Sequence, residues 1–185
     1  IRGSFTKIST KDILDLSITS AVNIKDLVVY TCLLHQKWLI KDGIFFKKSF
    51  ITKYKIGKRQ LNSSCDKLEK EKYINIVSGG VNYFNKLKIL KNDNREEYSA
   101  ISNSLLMADK DVLSISEKGF LLLFWKYIQP SNNELNLSFF NSSIDEVLGG
   151  YANKSWFDKT KRSLAEKKVI EVERGNRFFF RLNYE

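Results

Sequence analysis

The chain has 185 residues, 43% of them hydrophobic and 13% aromatic, which is the content of an ordered, core-forming protein. It holds no apolar run long enough to span a bilayer, and its single His and two separate Cys offer no metal-ligand set, so neither a membrane protein nor a metal or other cofactor is expected. The net charge of +10 is uneven: residues 1–92 hold 18 Lys/Arg against 7 Asp/Glu, whereas residues 93–185 hold 13 against 14.

Taken in order, residues 5–9 read as an extended lead-in followed by a turn of helix through Leu14. Residues 23–40 have a 3.6-residue apolar stripe of Ile24, Leu27, Val28, Thr31, Leu34 and Trp38. Asn23 is the expected cap of this helix and Gly43 its stop signal. His35 sits beside the stripe with no acid–base partner nearby in the sequence, and reads as a partly buried structural histidine. Residues 44–48 predict a short strand. Ser49 predicts the cap of a short helix over 50–56, closed by Gly57.

A second helix then begins at Lys58. Leu61, Cys65 and Leu68 share one face. Arg59, Ser63 and Lys70 lie opposite, with Gln60, Asp66 and Lys67 flanking. From Ile74 the period changes to two. Ser78-Gly79-Gly80 is the expected hairpin turn, and residues 81–90 the return strand.

The polar run 91–97 is the best boundary, which makes 1–92 a first unit, 93–97 a linker and 98–185 a second unit. Tyr98 to Leu106 matches the lead-in. Ser116 and Glu117 are expected to open a long helix with an apolar face of Phe120, Leu123, Phe124, Tyr127 and Ile128, ended by Pro130. A strand at 135–137, a Ser138-capped helix over 139–148 and a turn at Gly149-Gly150-Tyr151 come next. Asn153 then caps a helix over 154–168. Phe157, the stem of Lys161 and Leu164 face in; Ser155, Lys159 and Arg162 face out, with Trp156 and Ser163 at the edges. Residues 170–173 and 177–182 read as strands around Arg174-Gly175-Asn176.

Residues Leu164 to Val172 match Leu68 to Ile76 at a constant offset of 96, and Gly175-Asn176 then falls on Gly79-Gly80. Two copies of one unit are far less expected by chance than one. The fold class that follows is α+β: two tandem winged-helix domains, each a helix-turn-helix plus a β-hairpin wing, forming an internal repeat.

Such a unit can set its second helix in the major groove and its hairpin against the backbone. The chemistry asks for Arg, Lys, Gln or Asn at the helix start, where base edges are read. Lys58, Arg59 and Gln60 stand there in the first unit, Lys154 and Ser155 in the second. Phosphate contacts fall to Lys47, Lys48, Lys53, Lys55, Ser63, Lys67, Lys86 and Lys88, and in the second unit to Lys159, Arg162, Ser163, Arg174 and Arg177. Glu171 and Glu173 beside the second wing oppose phosphate. Cys32 and Cys65 occupy apolar helix positions and read as buried free thiols, which suits a reducing, cytoplasmic compartment.

The order of lead-in, long helix, short helix, Lys58 helix and wing, with Leu68-Glu69-Lys70-Glu71-Lys72-Tyr73-Ile74 closing the recognition helix, resembles the winged-helix domains of plasmid replication initiators and phage replisome-organiser proteins. Tandem helix-turn-helix proteins of conjugative plasmids are similar too. The resemblance implies double-stranded DNA as partner and a role in replication initiation or regulation in a plasmid, phage or low-GC bacterium. An adaptor in a replisome or conjugation complex, using the same faces on a protein partner, is the alternative. Catalysis is not expected: no phosphate-cradling Gly-rich loop, Gly-x-Ser-x-Gly or His-x-x-x-His occurs, and the paired acids Glu96-Glu97 and Asp145-Glu146 are adjacent, so they do not converge on one helix face. The sequence leaves the oligomeric state open.

Overall fold

Asn23, where the long apolar stripe begins, caps α2 (Ile24–Gln36) in the computed structural model, which describes residues 5–18, 23–37, 44–90, 97–125, 128–131, 134–140, 154–172 and 177–182. The Asn23 side chain accepts from the amides of Lys25 and Asp26, and the Asp26 carboxylate accepts from the Asn23 amide, a reciprocal capping box. The chain is a mixed α+β protein of helices and small antiparallel sheets. The expected stripe of α2 is buried along Leu27, Val28, Thr31 and Leu34, but Val29, Tyr30, Cys32 and Leu33 are buried as well. Helix α2 is therefore enclosed rather than one-sided: it packs against the helices at 10–18, 58–70 and 115–123. Trp38 and Gly43 lie outside the described residues.

Ahead of α2, β1 (Phe5–Ser9) runs directly into α1 (Thr10–Ile18). Beyond it come β2 (Ile44–Phe46), α3 (Lys47–Tyr54) and α4 (Lys58–Lys70). Helix α3 starts earlier than the Ser49 cap implied. Its N-cap is Phe46, which makes no side-chain bond, and Ser49 lies exposed in the first turn. The start is set instead by Lys47, whose amide donates to Asn82 O at 3.0 Å and whose Nζ donates to Gly80 O at 2.8 Å. Lys55, at φ 56°, ends α3 before Ile56.

The first hairpin has the expected strands but a displaced turn. β3 (Ile74–Asn75) pairs with β6 (Lys88–Ile89), and β4 (Ser78–Gly79) with β5 (Tyr83–Asn85), which also pairs with β2. The Gly80 amide donates to Tyr83 O at 2.9 Å, so the chain reverses at Val81-Asn82 and Ser78-Gly79 belongs to the strand. The register that pairs Ile74 with Ile89 carries on to Gly79–Phe84, and with Lys47 gripping Gly80 and Asn82 it decides the turn position over the local Gly-Gly signal.

β7 (Tyr98–Ser102) lies antiparallel to β1, with Phe5 opposite Ser102 and Ser9 opposite Tyr98. It leads into α5 (Asn103–Met107), and α6 (Ile115–Leu123) follows. The cap of α6 is Ser114 rather than Ser116, again in a capping box, with Glu117 as the reciprocal acid. Helix α6 ends at Leu123 instead of running to Pro130. Residues Ile128–Ser131 form β8, an edge strand, where a proline without an N–H is tolerated.

β9 (Glu134–Phe140) replaces both the short strand at 135–137 and the start of the Ser138-capped helix. Its residues 135–140 pair with β11 (Arg177–Leu182), so Phe139 and Phe140 are strand residues. Residues 141–150 lie outside the described residues, as do Gly149-Gly150-Tyr151 and Asn153. Helix α7 (Lys154–Glu166) and β10 (Ile170–Val172) complete the chain, and β10 pairs with β11 as the expected second hairpin.

One cluster of buried side chains runs through both halves, from Ile8 and Ile101 of the ribbon through Leu27, Leu61 and Leu68 to Phe120, Phe124, Phe157 and Leu164. Helices α2 and α6 meet closely: a Cβ on Gly119 would stand 2.5 Å from Ile24 Cγ1 and 3.2 Å from Ile24 O. Next to it Lys118, 2% exposed, donates to Tyr54 O and Leu106 O, both at 3.1 Å, near the C-terminal ends of α3 and α5. Burial holds the Lys118 ammonium below its usual range.

Candidate nucleic-acid interface

Helix α4 buries Leu61, Ser64, Cys65 and Leu68. The three apolar positions are those of the sequence stripe. Ser64 is a hydroxyl on a fully buried face and needs a partner. It finds one in Asp26, itself fully buried in the first turn of α2: Ser64 Oγ donates to Asp26 Oδ1 at 2.6 Å. Lys67 Nζ approaches Asp26 Oδ2 at 3.5 Å, and the Asn23 amide donates to that same oxygen at 2.8 Å. The carboxylate thus faces the positive end of α2 and receives donors from α4, tying the two helices together.

The second half has the same device. Glu117, in the first turn of α6, accepts from Ser163 Oγ at 2.6 Å and from Lys167 Nζ at 2.8 Å, while its own Oε2 also takes the Ser114 amide at 2.8 Å. Burial by itself pushes the Glu117 carboxyl up, but the bonds from Lys167, Ser163 and the Ser114 amide outweigh it and hold the group below its usual range. Phe157 of α7 stacks on Phe120 of α6 at 5.3 Å, which packs the buried face of α7.

Both helices also end alike. Tyr73 N donates to Leu68 O and Lys72 N to Glu69 O; Val169 N donates to Leu164 O and Lys168 N to Ala165 O. This is the Schellman pattern, with Lys72 (φ 62°) and Lys168 (φ 58°) in the left-handed conformation. Each cap turns the chain straight into a strand, β3 or β10, so each hairpin follows its helix at once.

The outward side of α4 carries Lys58, Arg59 and Ser63, all exposed, with Lys70 and also the acidic Asp66. Gln60 is half-buried and donates from Nε2 to Ser64 Oγ at 2.8 Å. Lys67 is partly exposed and shared with Asp26. Lys86, at φ 52°, and Lys88 are exposed on the hairpin. Lys47 is a correction: its Nζ is buried against Gly80 O and lies 4.1 Å from the Phe84 ring centroid, so it stabilises the hairpin turn and is not open to phosphate.

In the second half, Ser155, Lys159 and Arg162 are exposed along α7, interleaved with Asp158 and Glu166. Ser163 is turned to Glu117 rather than outward. Lys154 is the first residue of α7, and Arg177 begins β11 with its backbone opposite Phe140. Arg174 lies outside the described residues, as does Glu173.

His35 is half-buried, with Nδ1 2.6 Å from Tyr54 Oη; burial first, and then Lys53, hold its imidazole below its usual range. Burial pushes the thiols of Cys32 and Cys65 up to about 12, and both are free. Among the described residues no group of three or more His, Cys, Asp or Glu side chains could hold a metal ion, and no helix is long and apolar enough to cross a membrane. The residues that sequence reasoning passed over are Asp26, Ser64 and Lys118. Asn23-x-x-Asp26 and Ser114-x-x-Glu117 carry a readable capping signal, but their bonds to α4 and α7 are long-range.

No family model, curated protein or solved structure matches the chain.

Proposed function

We propose that this protein is a sequence-specific double-stranded DNA-binding protein without catalytic activity, built from two winged-helix units in tandem. Helices α3 and α4 are the helix-turn-helix of the first unit, and α7 is the recognition helix of the second. The hairpins β3–β6 and β10–β11 are the wings. The observation that carries the reading is the doubled arrangement: in each half an outward, cation-bearing helix is tied by a buried carboxylate to the first turn of a central helix and turned directly into a hairpin. Lys58, Arg59 and Gln60 lead the first interface, with Ser63, Lys67 and Lys86 toward the phosphates. Lys159 and Arg162 lead the second, with Ser155, Lys154, Arg174 and Arg177 assigned on sequence. The first half, with its large positive excess, is the stronger binder.

The biological role that fits is origin binding in replication initiation, or regulation, at a plasmid, phage or low-GC bacterial locus in the cytoplasm. Exposed Asp158 and Glu166 on α7 favour a second reading for that half alone, docking to a replication or conjugation protein.

The test is duplex-DNA affinity against salt for the wild type, Lys58→Ala/Arg59→Ala and Lys159→Ala/Arg162→Ala. Several phosphate contacts give a steep log–log slope, and each double variant flattens it by roughly one to two units. Absence of wild-type binding at low salt would sink the DNA reading. A slope moved by the first variant alone assigns α7 to a protein partner.

A further inference from the structure

We propose that Gln60 determines specificity, held by Ser64 and Asp26 in the orientation that reads adenine in the major groove. The inference rests on the DNA-binding reading above. It starts from a relay of three side chains. Gln60 Nε2 donates to Ser64 Oγ at 2.8 Å, and Ser64 Oγ donates to Asp26 Oδ1 at 2.6 Å. A serine hydroxyl has one proton. Given to the carboxylate, it leaves Oγ only as an acceptor toward Gln60. The amide must then turn its nitrogen, not its oxygen, to Ser64.

Two groups of the Gln60 amide stay available: Oε1 and the second N–H of Nε2. Among the described residues none engages Oε1. This pair matches the major-groove edge of adenine, whose N6 amino group donates and whose N7 accepts. Guanine presents O6 in place of the amino group and sets an acceptor against Oε1. Because the amide is already held, less rotamer freedom is lost when it meets a base.

The second half supplies the contrast. Ser163 donates to Glu117 at 2.6 Å, but the 96-residue register sets it against Lys67 and sets Trp156, whose indole only donates, against Gln60; one turn before Ser163 itself stands the exposed Lys159. An ammonium has donors only, so it cannot accept from adenine N6. The adenine preference therefore belongs to the first half and to Gln60.

The experiment begins with the duplex that the wild type selects from a random pool. Each A·T pair of that site is replaced by G·C in turn, and affinity is measured for the wild type, Gln60→Ala and Ser64→Ala, with salt slopes alongside. The wild type is expected to lose roughly five- to a hundredfold at one position, the range of a good bidentate contact. Gln60→Ala brings that ratio close to one and leaves the salt slope as it was. Ser64→Ala lowers the ratio in part, because the amide is free to turn. Gln60 is half-buried and its removal leaves the Ser64–Asp26 bond intact, so Gln60→Ala carries the test even if Ser64→Ala does not fold. A Gln60→Ala protein that binds and keeps every A·T-to-G·C penalty overturns the inference and leaves the DNA reading standing. No duplex binding by the wild type overturns both.

Discussion

Lys7 stands directly opposite Ala100. Each is the middle residue of a five-residue strand, and the register around them is symmetric: Phe5 faces Ser102 as Ser9 faces Tyr98. The exposed aromatics Phe5 and Tyr98 accordingly mark opposite ends of the ribbon. Such an isologous contact is what a twofold dimer makes between two chains. Here one chain makes it between its two halves. The acids Asp26 and Glu117 occupy the same place in α2 and α6, each receiving a serine hydroxyl and a lysine from the following outward helix.

The two left-handed lysines that close α4 and α7 are expected to be replaceable with profit to stability. A residue with a Cβ is strained at φ near 60°, and glycine is not. Lys72→Gly and Lys168→Gly are each expected to stabilise by about 0.5–1 kcal/mol after the greater chain entropy of unfolded glycine is deducted. Urea denaturation checks this; a lowered midpoint would mean that the lysine side chains make a compensating contribution.

Glu117 is expected to give the fold an acid limit. Its folded carboxyl titrates below the ordinary 4.5, so the unfolded state takes up a proton first as pH falls. The stabilisation is complete above the unfolded value and is lost as pH falls through the folded one. Glu117→Gln should cost about 2–4 kcal/mol at pH 7, since the amide keeps one acceptor oxygen for three donors (Ser163, Lys167 and the Ser114 amide) and leaves the Lys167 ammonium without its counter-charge, and it should flatten the stability–pH curve below 4.5. Thermal melts from pH 7 to 3 on both proteins decide it; parallel curves would place the acid sensitivity elsewhere.

Gly119→Ala runs against the usual helix preference. Alanine in a helix interior normally gains about 1 kcal/mol over glycine. At this site the added Cβ meets Ile24 Cγ1 at 2.5 Å and the Ile24 carbonyl oxygen at 3.2 Å. Helices α2 and α6 must separate or Ile24 must leave its rotamer, and a net loss of about 1–3 kcal/mol is expected. A Tm equal to or above that of the wild type would show that the helix pair has room to give.

What could be read from the sequence was local. The buried face of α4 follows from Leu61, Cys65 and Leu68 at helix spacing, and the exposed positions of Arg59 and Ser63 follow with it. Both hairpins follow from a change of period after the helix. Other features depend on partners far along the chain. Phe139 and Phe140 fit a helix or a strand equally well until β11 is known to lie beside them. Lys47 and Lys118 look like surface lysines, yet one is buried against a hairpin turn and the other against two helix ends. Ser64 looks like a neutral polar position until Asp26, 38 residues earlier, is set against it.

The symmetric ribbon also sets an order of events during synthesis. β1 leaves the ribosome before β7 and has no strand partner until Ser102 has followed it out. At ordinary elongation rates the interval is roughly 5–20 s. Throughout that time the strand edge that β7 covers in the finished fold is open to other nascent chains. The contact that fuses the halves is thus a late one, which makes the newborn first half the stage at which a chaperone, or a second copy of the same strand, competes with the rest of its own chain.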